Sequence, residues 1–79
     1  MKIICMAETG KKIRQCIDKS GFTMKQVSEK LNLHIMSVYK WTYGAGLPTI
    51  DNLVNLADIL DVKIEDLLVV ESAEDDNIY

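Results

Sequence analysis

Twenty-two consecutive residues, Thr23 to Gly44 (TMKQVSEKLNLHIMSVYKWTYG), constrain this chain more than any other stretch. Thr23 followed by Gln26 has the Thr-x-x-Gln form of a capping box, which fixes a helix start near Met24. Phe22 just before the cap and Val27 at the fourth helical position have the spacing of a hydrophobic staple. Val27 and Leu31 lie one turn apart and face inward. Asn32 falls where the chain must turn sharply, and Asn is one of the few residues besides glycine that tolerates a left-handed backbone. Leu33 packs back, and a second helix carries Val38 and Trp41 on its inner face before Gly44 stops it. Trp41 reads as core. The pattern predicts two short helices meeting at a tight turn, with the second presented outward.

The rest of the chain supplies a support for that pair. Residues 1–8 begin with MKIICM, a short apolar piece with the β-type residues Ile3 and Ile4. It is read as an arm laid on the core, with an extra strand or a dimer contact as alternatives. Thr9 is the expected cap of a first helix ending near Ser20, with Ile13, Cys16 and Ile17 inward and Gly21 as terminator. After Leu47-Pro48, the 3–4 spacing of Ile50, Leu53, Leu56, Ala57 and Leu60 predicts a fourth helix, capped by Thr49 or Asp51 and broken at Asp61. Ile64 to Leu68 predicts a short fifth helix closing the core. Residues 71–79 are acidic and expected to fray. The expectation is therefore an all-α, compact bundle of five short helices over residues 9–70, between an N-terminal arm (1–8) and an acidic flexible tail (71–79).

Composition matters here for what it excludes and for how charge is distributed. With 79 residues the chain is one domain. The apolar opening is too short for a secretory signal, and no run reaches the ~18 apolar residues of a membrane span, so a cytoplasmic protein with reduced Cys5 and Cys16 is expected. The net charge of −3 at first argues against a polyanionic partner. Its distribution reverses that reading: residues 11–43 sum to +5 and residues 44–79 to −8. The positive half contains the helix pair, and local potential decides where a polyanion docks.

The apolar frame Val27, Leu31, Leu33, Val38, Trp41, with small Ser28 where two helices cross and Asn32 in the turn, resembles a helix-turn-helix. From about Thr9 to Val70 the chain resembles the Cro/C1-type (XRE family) DNA-binding domain, which is lambda-repressor-like in fold. Most telling are Tyr39-Lys40-Trp41, Gly44, Leu47-Pro48-Thr49-Ile50-Asp51-Asn52-Leu53, Leu56-Ala57 and the closing Ile64-Glu65-Asp66-Leu67-Leu68. The resemblance implies sequence-specific duplex DNA binding by a small, repressor-like transcriptional regulator. Its recognition helix, about residues 35–43, would lie in the major groove. It also implies homodimers on palindromic sites, with the Ile3/Ile4 arm or the outer face of the fourth and fifth helices as candidate dimer surfaces.

By the same resemblance the base-reading positions are Ile35, Met36, Ser37 and Lys40, with His34 beside them. Lys40 can donate to guanine O6 or N7, whereas Ile35 and Met36 can read only by apolar contact, as with a thymine methyl. Lys25, Tyr39, Tyr43 and Lys12 are the expected phosphate contacts, helped by backbone amides at helix starts. Three departures stand out. Family members generally place polar residues where Ile35 and Met36 stand. They usually have a phosphate-contacting Gln at the first position of the second helix, where this chain has Met24. They also pair an arginine with a glutamate at the positions of Ile17 and Thr42, both lost here together, which leaves no stranded charge. His34, heading the recognition helix, is a poor cap by residue type.

An enzyme is not expected. The chain has one histidine and no phosphate-cradling Gly-rich loop, and its carboxylates cluster near the end rather than around a pocket. Cys5, Cys16 and His34 lack zinc-type spacing, so neither a metal nor another cofactor is expected, and no small-molecule substrate. The alternative is a protein-interaction module on the same fold, favoured by Ile35/Met36, by the acidity and by the missing glutamine.

Overall fold

The computed structural model describes residues 1–72. In chain order they form β1 (Lys2–Ile4), α1 (Met6–Ser20), α2 (Met24–Lys30), α3 (Ile35–Thr42), α4 (Ile50–Leu60), a 3₁₀ turn over Ile64–Asp66, and β2 (Val70–Ser72). The fold is thus mostly helical, and it differs from the expected five-helix, all-α bundle in two places.

The first is Ile64–Leu68. Leu67 N–H donates to the Ile64 carbonyl three residues back, and the Asp66 carboxylate accepts from Lys63 N–H at 3.0 Å. One tight turn suffices to bury Leu67 completely, so nothing extends it into an α-helix. The second is the pairing of β1 with β2, antiparallel in the register Lys2–Ser72, Ile3–Glu71, Ile4–Val70. Glu71 and Ser72, assigned from the sequence to the acidic tail, are strand residues; the remainder of that tail, residues 73–79, lies outside the described residues.

Thr9 does not cap α1. The helix starts three residues earlier, behind Cys5, whose side chain makes no capping bond. Thr9 is instead fully buried. Its hydroxyl accepts from Val69 N–H at 2.9 Å and donates to the Val69 carbonyl at 3.4 Å, while Cys5 N–H donates to that carbonyl at 2.8 Å. The sheet is therefore fastened to α1 through one buried side chain.

The core forms where α1, α2, α3 and α4 meet, around Ile13, Ile17, Val27, Val38, Trp41 and Leu56. Gly10 sets the α1–α3 distance: a Cβ there would lie 2.6 Å from the Trp41 carbonyl oxygen and 2.7 Å from that of Thr42. Ile17 is buried, and the Thr42 hydroxyl donates to the Tyr39 carbonyl at 2.8 Å, so the seam between α1 and α3 is closed without an ion pair. Ile50 does not follow the inward pattern read from spacing. It is 79% exposed in the first turn of α4, and Val54 one turn on is also exposed.

Candidate nucleic-acid interface

Local chemistry explains why α2 and α3 hold their positions. Both halves of the capping box are made: Thr23 Oγ1 accepts from Gln26 N–H at 3.0 Å, and the Gln26 side chain accepts from Thr23 N–H at 2.8 Å. Phe22 packs on the core below Lys30, whose ammonium sits 4.9 Å from the ring centre. Asn32 adopts φ 57°, the left-handed turn its residue type allows. Ser28 is buried at the crossing; its carbonyl accepts from Leu33 N–H at 2.9 Å, and its hydroxyl donates to the Lys25 carbonyl at 2.7 Å. A larger side chain at Ser28 would push the two helices apart.

His34 turns out to cap α3, contrary to the expectation from its type. Its Nδ1 accepts from Met36 N–H at 3.2 Å. The imidazole Nδ1 stands where an asparagine cap carries its Oδ1, which is the signal that residue type alone obscures. Accepting at Nδ1 requires the neutral ring to carry its proton on Nε2, leaving an outward donor beside the first turn of α3.

At roughly 100° per residue, Val38 and Trp41 point α3 into the core while Met36, Lys40 and Tyr43 line its opposite side. Met36 is 51% exposed and Tyr43 is 74% exposed, and Lys40 is open to solvent. Ile35 and Ser37 flank that stripe and are half-buried, Ile35 against the core. Tyr39 stacks on Tyr43 with ring centres 5.9 Å apart, which holds the exposed phenol near the C-terminal end of the stripe. Lys25 is exposed in the first turn of α2, whereas Met24 beside it is buried in the core. Met24 thus exchanges a polar contact for packing.

The cations divide into two groups. On α1, Lys11 pairs with Glu8 at 3.1 Å and Arg14 with Asp18 at 3.2 Å. Among the described residues Lys25 and Lys40 form no ion pair, so their charges remain available to an outside anion. Lys12 is not brought to this surface. It lies about 200° around α1 from Gly10, which faces α3, because two residues turn a helix that far. There it lines a cleft of about 280 Å³ with Cys16, Lys19, Leu60, Val62 and Asp66. Among the described residues no three His, Cys, Asp or Glu side chains come together as a metal site, and no helix is long and apolar enough to cross a membrane.

The chain matches the family model described as helix-turn-helix over residues 11–67. It is 37% identical over 54 residues to the cryptic phage CTXphi transcriptional repressor RstR of Vibrio cholerae serotype O1, a match that spans 68% of this chain and 46% of that repressor. In fold it is similar to the restriction-modification controller protein C.AhdI from Aeromonas hydrophila, with a TM-score of 0.73 at 19% identity over 78% of this chain and 94% of that one. It is also similar to SinR, a master regulator for biofilm formation solved in complex with DNA, with a TM-score of 0.69 at 22% identity over 75% and 95% of the two chains.

Proposed function

Because the chain belongs to the helix-turn-helix family, in its Cro/C1 (XRE) type, we propose that it binds duplex DNA in a sequence-dependent way and regulates transcription, most simply as a repressor. The observation that carries this reading is the open stripe on α3: Met36 and Lys40 face solvent on a helix anchored from behind by Val38 and Trp41. A rigid, outward helix of this kind fits the major groove. Lys40 would supply the polar base contact and Met36 an apolar one, with Ile35 and Ser37 at the edges and the His34 Nε2–H as an additional donor. Lys25, Tyr39 and Tyr43 would position the protein on phosphates, with Lys12 taking no part. RstR is a transcriptional repressor by name and SinR is seen with DNA, which supports the same assignment.

The test is a selection from random duplexes, followed by titration of the selected site over a range of salt. Affinity should fall steeply with salt as phosphate contacts displace counterions. A second reading, docking of a protein partner, is favoured by the exposed apolar Met36 and the overall negative charge. Binding of duplex DNA that is absent, or indifferent to Lys25→Ala and Lys40→Ala, would decide for it.

A further inference from the structure

The β1–β2 sheet has two strands only, and all six of its residues are exposed. Such a ribbon is marginal by itself and leaves a row of unpaired backbone groups along each side. Here it is held in place by the buried Thr9 and by Cys5, both bonded to Val69. An open edge is thus fixed rigidly to the body of the protein.

We propose that the free edge of β1 pairs with β1 of a second copy, giving a four-stranded antiparallel sheet across a twofold axis at Ile3. This deepens the DNA-binding reading, which calls for two copies on a two-part site, by naming the surface that joins them. The hydrogen-bond phase supports it. Cys5 N–H bonds to the Val69 carbonyl, so along β1 the groups of Cys5 and Ile3 point to β2 while those of Ile4 and Lys2 point outward. Centring the axis on Ile3 sets Lys2 opposite Ile4 of the second copy, both with outward groups, which makes two hydrogen-bonded pairs. Ile3 then meets its own copy in the closer, non-hydrogen-bonded position, where apolar side chains touch.

Charge selects this edge over its rivals. Pairing β2 with its copy about Glu71 would set two carboxylates against each other. A second exposed apolar face, Ile50 and Val54 on α4, lies on a helix bearing Asp51 and Asp58 and no cation, with Asp61 at its end. Two such helices face to face would repel. β1 carries Lys2 and no acid.

The test compares Ile4→Pro, Ile3→Lys and Ile50→Glu with the unmodified chain by sedimentation equilibrium, alongside circular dichroism and binding to a single half-site. Ile4→Pro removes an outward N–H without touching a bond to β2. Because symmetry removes it twice, the dimer dissociation constant should rise about tenfold or more. Ile3→Lys faces Glu71 within its own ribbon but meets a like charge across the axis, so it should give monomers, and Ile50→Glu should dimerise as the unmodified chain does. All three should keep their helical spectrum and half-site affinity, so failure of the DNA-binding reading would show separately. The proposal falls if the unmodified chain is a monomer at every concentration, if Ile3→Lys and Ile4→Pro dimerise normally, or if Ile50→Glu alone yields monomers.

Discussion

The α2–α3 pair and the β1–β2 ribbon are held by different means. Each helix of the pair starts with its own side-chain cap, Thr23 or His34, and the turn between them needs only Asn32 and Ser28. Almost every bond that shapes it spans five residues or fewer. The ribbon joins residues 2–4 to residues 70–72, and its attachment depends on Thr9 meeting Val69. Local bonding makes a self-sufficient helix pair, whereas long-range bonding makes a ribbon that one substitution can loosen.

The largest effect should come from Gly10→Val, which touches both regions because α1 supports both. Its Cβ would begin 2.6 Å from a backbone oxygen that cannot swing away. The cost should be about 3 kcal/mol, read as a lowered urea midpoint. A loss of only a few tenths would mean that α1 and α3 slide freely.

Thr9→Val sharpens the contrast. It keeps the shape and removes both bonds to Val69, so about 2 kcal/mol should be lost. Hydrogen exchange should quicken at Ile3, Cys5 and Val69 while the amides of α2 and α3 stay protected. Uniform loss of protection would break the distinction between the two regions.

Next come the cations. Lys40→Ala should weaken DNA binding by about 1 kcal/mol and relax the sequence preference, and Lys25→Ala should weaken it by about 1 kcal/mol and lower the salt slope by about one unit. Lys12→Ala, on the far flank of α1, should change neither. Equal effects of all three would mean that charge acts on DNA without regard to position.

The smallest effect expected is a gain. Asn32→Gly relieves a side chain held at φ 57° and should stabilise the protein by about 0.5 kcal/mol in thermal unfolding, leaving the ribbon untouched.

What could be read from the sequence follows the same division. The capping box, Asn32 and the ends of α4 are short-range choices, and residue type encodes them directly. The pairing of Ile4 with Val70 is not encoded by any neighbour, so β1 read as an arm and Glu71 as tail. Thr9 misled because Thr is both a good cap and a good buried donor, and only Val69 decides between the two. Ile50 misled because spacing reports which residues share a face, not which of them the core can reach. In the candidate site, Lys25 and Lys40 are both open to solvent, on α2 and α3. Lys12 could not be located from sequence, since the direction it points depends on how α1 rolls against α3 at Gly10.

The bond between Thr9 and Val69 also sets an order of events during synthesis. By the time Trp41 and Leu56 have emerged from the ribosome, the chain has the residues that build the α2–α3 pair and its backing. Thr9 must wait until Val69 follows, roughly a dozen residues later. For that interval the strand at residues 2–4 has no mate in its own chain. On a polysome, neighbouring nascent chains would then offer each other that strand before either could close its ribbon.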